Sequence, residues 1–125
     1  MIFDIDILIW VQRGSEKAAM LVDSYEKKYI SVYTYLELMR GAVDKTDMRR
    51  IKDYIHSSDF EVLPLTENIG HRAMVYMEKF SLSSGLEASD AIIASTAMEN
   101  FLPLCSGNKK HFKMFDGLDF KPFNP

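Results

Sequence analysis

Short apolar runs rich in β-branched residues alternate along this chain with stretches of helical spacing, and that alternation restricts the fold more than any other feature. The pattern predicts strands over residues 1–6, 29–32, 60–65, 102–106 and 118–123. Between them it predicts helices over 7–12, 16–27, 34–42, 46–56, 66–82, 89–99 and 109–115. Ser15, Thr34 and Thr66 stand where helix N-caps belong, and Glu37, three residues after Thr34, completes the pattern of a capping box. Strands that alternate with helices imply an α/β fold with a parallel sheet covered on both faces. In such sheets ligands bind at the carboxyl ends of the strands.

A chain of 125 residues is expected to form one domain, with 47% hydrophobic and 26% charged residues, the balance of an ordinary globular protein. No apolar stretch is long enough for a transmembrane helix, and the N-terminus lacks the basic region of a signal peptide. Cys105 is the only cysteine, so no internal disulfide is expected, which suits a reducing cytoplasm. A net charge of −3 argues against a protein that coats nucleic acid. It leaves a nuclease open, because a cluster of metal-binding acids makes such an enzyme acidic.

The opening FDIDILIW sets Asp4 and Asp6 inside an apolar run, where an uncompensated charge is costly. Both fall at the carboxyl end of the first expected strand. Glu37 follows the second strand, Asp90 opens the helix before the fourth, and Asn108 follows the fourth. With strand one central, Asp4, Glu37, Asp90 and Asn108 are expected to converge on one pocket. Converging carboxylates repel each other, and a divalent cation relieves that repulsion. An all-oxygen set with no His or Cys in it points to Mg²⁺, with Mn²⁺ as an alternative. Such ions serve phosphoryl chemistry.

The segments FDIDILIWVQRG, SVYTYLELMRGA (31–42), SDAIIASTAMENFLPLCSGNKKHF (89–112) and FDGLDF (115–120) together resemble PIN-domain ribonucleases of the VapC toxin type. The resemblance spans nearly the whole chain in the right order. It implies a three-layer α/β/α sandwich over residues 1–125, with a central parallel sheet of about five strands. It also implies a Mg²⁺-dependent endoribonuclease that cleaves structured RNA such as transfer RNA. The partners it implies are an antitoxin protein, whose basic side chain meets the acids, and a second copy in a homodimer. The family's first acid falls on Asp4, its helix glutamate on Glu37, its second metal aspartate on Asp90 and its last polar position on Asn108. Asp4 and Asp90 are thus the expected metal ligands. The chain departs from the family at Ile5, where Thr or Ser is common, and at Ser106-Gly107-Asn108, where Thr-Arg-Asn/Asp is usual.

Plainer roles compete for these residues. Asp6 fits equally an N-cap for a helix from Ile7 or a place in the site, and is left outside the core set. Asp90 fits an N-cap as well as a ligand, and Asn108 a turn residue. His56, His71 and His111 lack metal-ligand spacing and are expected at the surface or in the core. Lys109, Lys110 and Lys113 read as a solvated helix face, with phosphate contact second. A haloacid-dehalogenase-type phosphatase needs Gly-Thr after its second Asp, and Ile7-Leu8 stands there instead. A receiver-like signalling module needs a phosphorylatable Asp at the end of strand three, which here ends Leu65-Thr66. A housekeeping ribonuclease on the same scaffold is the remaining alternative to a toxin.

Overall fold

Strand one ends sooner than its apolar run suggests. In a computed structural model that describes residues 1–125, β1 covers only Ile2–Phe3. Asp4 then turns the chain into helix α1 (Ile5–Gln12), with extended backbone at φ −71° and ψ 159°. Its Oδ1 accepts the Ile5 N–H at 2.8 Å. Asp4 is therefore the N-cap, and Asp6 lies inside the first helical turn instead of capping a helix at Ile7. An acid in that turn also complements the helix dipole.

The chain continues through α2 (Glu16–Asp23), β2 (Lys28–Ser31), α3 (Val32–Gly41), α4 (Lys45–Ser57), β3 (Phe60–Leu63) and α5 (Glu67–Ser84). It closes with α6 (Ala88–Glu99), β4 (Leu104–Ser106), α7 (Lys109–Phe112) and β5 (Phe120–Pro122). The five strands are all parallel, in the order β3-β2-β1-β4-β5. The expected central place of strand one is thus found. β1 pairs Ile2 with Tyr29 on one side, and Ile2 with Leu104 and Phe3 with Cys105 on the other.

The two-residue period of the strands divides the core. Phe3, Ile30 and Cys105 face one layer, with Ile7, Leu8, Ala18, Val22, Leu38, Ile51 and Ile55 of α1–α4. Ile2 and Leu104 face the other, with Ala73 of α5, Ala91, Ile93, Ala94 and Ala97 of α6, and Phe112 and Phe115. Ile2 and Phe3 are wholly buried on opposite faces, each worth about 1.5–3 kcal/mol of apolar transfer. Helix α6 is buried on nearly every side, and its Ala91, Ala94 and Ala97 leave room for the sheet and α5 to close on it.

Several local expectations shift. Ser31, not Thr34, caps α3, accepting the Thr34 N–H at 3.0 Å, so the expected Thr34–Glu37 box does not form. Ser31 already ends β2, and its extended backbone suits a cap better than a residue one turn inside the helix. Glu87 caps α6, and Asp90 is the return partner of that box, its Oδ2 accepting the Glu87 N–H at 3.4 Å. α2 stops at Asp23 and α7 at Phe112, both short of the expected ends. No helix is long and apolar enough to cross a membrane.

Candidate active site

Every strand runs the same way, so the first turns of α1, α3 and α6 meet at the carboxyl edge of the sheet. Asp4 stands directly after β1 and is 3% exposed. Its second oxygen, Oδ2, accepts the Ser106 hydroxyl at 2.8 Å, from the end of β4. Ser106 Oγ in turn accepts the Asn108 N–H at 3.0 Å. Asp90, in the first turn of α6, is 6% exposed. Glu37 lies in the second turn of α3 and is half-buried.

Burial and neighbouring charge act on these acids together. Burial raises the Asp4 carboxyl to about 6, assisted by the charges of Asp6 and Asp90 and opposed by the bonds from Ser106 and Ile5. Burial also raises Glu37, with Asp90 and Glu87 adding to the rise and Tyr33 and Arg40 opposing it. Asp90 is raised by burial, against the pull of His111. The charge of Asp90 thus bears on both Asp4 and Glu37. Among the ion pairs of the chain, only that of His111 with Asp90 reaches these acids, Nδ1 to Oδ2 at 3.2 Å. No Lys or Arg is paired with Asp4, Asp6, Glu37 or Asp90.

The expected set is thus brought together in part. Asp4, Glu37 and Asp90 converge. Asn108 stands beside Asp4 through its backbone, while its side chain is exposed and makes no capping bond. Sequence reasoning missed three neighbours, Ser106, Glu87 and His111, and left Asp6 open between a helix cap and the site. Ser106 links Asp4 to the Asn108 turn. Asp6 accepts the Gly107 N–H at 2.8 Å. Glu87 adds a charge, and its box spacing before Asp90 was a usable signal. His111 gave none, because its contact with Asp90 joins residues 21 apart in sequence.

The donor set fits a hard divalent cation. It is all oxygen, anionic and without a Lys or Arg in ion-pair contact, and burial with mutual repulsion holds its carboxyls above their ordinary range. No three acidic, His or Cys side chains close into a ready cage.

An all-parallel α/β/α sandwich with carboxylates collected at one sheet edge is the class that fold and site define. The PIN domain model matches residues 1–118, and the chain belongs to the PIN-domain family. PIN domains are nucleases, and such nucleases generally use divalent metal ions. No curated protein matches the chain. Among solved structures, a toxin–antitoxin complex from Klebsiella pneumoniae is 27% identical, with a TM-score of 0.78, over 94% of this chain and 93% of that one. VapBC-1 from nontypeable Haemophilus influenzae is 22% identical, with a TM-score of 0.81, over 98% of each chain. VapBC2 from Rickettsia felis, bound to a promoter DNA fragment, is 19% identical, with a TM-score of 0.77, over 99% of this chain and 100% of that one.

Proposed function

We propose that this chain, acting as one PIN-like domain, is a Mg²⁺-dependent endoribonuclease and the toxin of a toxin–antitoxin pair. The observation that carries the reading is the meeting of Asp4, Glu37 and Asp90 at the carboxyl edge with no Lys or Arg paired to them. Its likeness to chains from toxin–antitoxin complexes supports the toxin role.

Asp4 and Asp90 would hold the ion, with Mn²⁺ able to replace Mg²⁺. When bound, it supplies charge neutralisation at the scissile phosphate and a more acidic water. Asp4 has little freedom to turn, because both its oxygens are engaged, by Ile5 N–H and Ser106 Oγ–H. Glu37 is the base. Its raised pKa brings its carboxylate nearer the working pH, where it accepts the proton of the attacking water. Asn108 orients a water at the rim. Structured RNA, such as transfer RNA, is the substrate.

The antitoxin reaches the acids with a basic side chain, since an Arg forks onto carboxylates. The toxin works in the cytoplasm and as a homodimer. An apolar groove between α5 and α6, lined by Leu65, Ala73, Met74, Met77 and Ile92, supports self-association.

The test is cleavage of folded RNA by purified, antitoxin-free protein. Cleavage should need Mg²⁺ or Mn²⁺, stop in EDTA, and fall by about 100-fold or more in Asp90→Asn. Cleavage undiminished in EDTA, or none with either ion, would overturn the proposal.

A further inference from the structure

Asp6 has no place in the proposed set, yet it makes its own contact across the sheet edge. Its Oδ2 accepts the Gly107 N–H at 2.8 Å, joining residues 101 apart in sequence. Its other oxygen, Oδ1, is buried without a partner. An acid held beside Asp4 is unfavourable to both, and a half-satisfied carboxylate adds to the cost. The bond to Gly107 is the one compensation from outside its own helix.

Gly107 is shaped to that carboxylate. A Cβ built there would stand 2.7 Å from Asp6 Oδ2 and 3.3 Å from the Phe123 carbonyl oxygen. A side chain at this position would meet the Asp6 carboxylate and could be admitted only if that carboxylate moved. Gly107 lies between Ser106, which donates to Asp4, and Asn108, whose N–H donates back to Ser106. The two acids of the DID segment therefore grip consecutive residues of one turn, Asp4 through Ser106 and Asp6 through Gly107.

We propose that Asp6 is a positioning residue: its bond to Gly107 clamps the Ser106–Asn108 turn onto the start of α1 and so sets Asn108 and Ser106 against Asp4. The inference rests on the nuclease reading only for its effect on cleavage. The clamp itself is a property of the fold. It acts as a hydrogen-bond acceptor, not as a charge.

Two variants separate acceptor from charge. Asp6→Asn keeps an oxygen for Gly107, and Asp6→Ala removes it. Amide hydrogen exchange at Gly107, measured by NMR in EDTA, reads the clamp without any activity. Asp6→Ala should speed that exchange by about tenfold or more while amides in the core of α6 are unchanged, and Asp6→Asn should stay within about threefold of wild type. In RNA cleavage, Asp6→Ala should lower kcat by about tenfold or more with KM nearly constant, and Asp6→Asn should restore most of it. Gly107→Ala should move both measurements in the same direction as Asp6→Ala, since its methyl displaces the carboxylate. Unchanged exchange in Asp6→Ala would overturn the clamp. Asp6→Asn as damaging as Asp6→Ala in cleavage would overturn the acceptor role in favour of charge. A wild type that cuts no RNA would remove the nuclease reading alone, because the exchange measurement would still decide the clamp.

Discussion

Asp4 carries the sharpest consequence at the scale of one residue. Its carboxyl is raised from 3.8 to about 6, with burial as the first cause and the Asp6 charge as the second. Between those values the folded protein holds a proton that the unfolded chain releases. Its contribution to stability is therefore fully present below the ordinary value and is lost as pH rises through the folded one. In EDTA, the unfolding free energy should fall between pH 4 and pH 7 by on the order of 2–3 kcal/mol from this group alone. Asp4→Asn carries no such proton. It should show a flatter profile and exceed wild type by about 1–2 kcal/mol at pH 8, after losing the acceptor for Ser106. Urea titrations of both proteins across that range check this, and parallel profiles would show that Asp4 does not bear the repulsion. The candidate site was legible at this scale where charge and position coincide. Acids after strands one and two and before strand four are visible in the sequence. His111 and the Gly107 clamp are not, because each depends on a contact between distant segments.

At the scale of the element, Ser31 ends β2 and begins α3, and it carries Glu37 into place two turns later. Its Oγ accepts the Thr34 N–H at 3.0 Å and donates to Thr34 Oγ1 at 3.1 Å, both inside the core. Ser31→Ala should cost about 1–2 kcal/mol, because it removes a cap and leaves the buried Thr34 hydroxyl unpaired. Ser15 makes the corresponding bond at α2, accepting the Ala18 N–H at 3.1 Å, far from the acids. Ser15→Ala should cost about 1 kcal/mol. Only Ser31→Ala should also slow RNA cleavage, so equal rates for the two variants would separate α3 geometry from the proposed chemistry. The elements themselves were mostly legible, since helical spacing and β-branched runs are local signals. Their limits were less so. The sequence places the change from strand to helix between Asp6 and Ile7, yet the Asp4 cap moves it forward, because Asp4 satisfies the free N–H of Ile5 at the start of the helix. α7 stops at Phe112 even though Phe115 continues the apolar spacing, because Phe115 packs on Tyr76 and Phe80 of α5 instead.

At the scale of the whole molecule, the order of the strands joins the site to both layers. Asp4, Asp6 and Glu37 ride on α1 and α3, which pack on one face of the sheet, while Asp90 and His111 belong to α6 and α7 on the other. A divalent cation that draws Asp4 and Asp90 together therefore ties the two layers. At pH 8, Mg²⁺ at tenfold its Kd should stabilise the wild type by about 1.4 kcal/mol. That corresponds to a rise in Tm of about 3–6 °C for a chain of this size. Asp90→Asn should gain much less, and an equal gain would place the ion elsewhere. The parallel sheet with strand one central was legible, because alternation of strand and helix leaves few other topologies. Which helices cover which face was not, since one residue of strand register exchanges the faces. The sheet is the spine of a book whose covers must both be shut for the proposed acids to meet. A molecule that loses the packing of either cover, by heat or by a core mutation, parts its own carboxylates and relieves their repulsion as it does so. On the proposed reading, such damage should scatter the acids that cleavage needs, so a failing copy would become inert instead of indiscriminate.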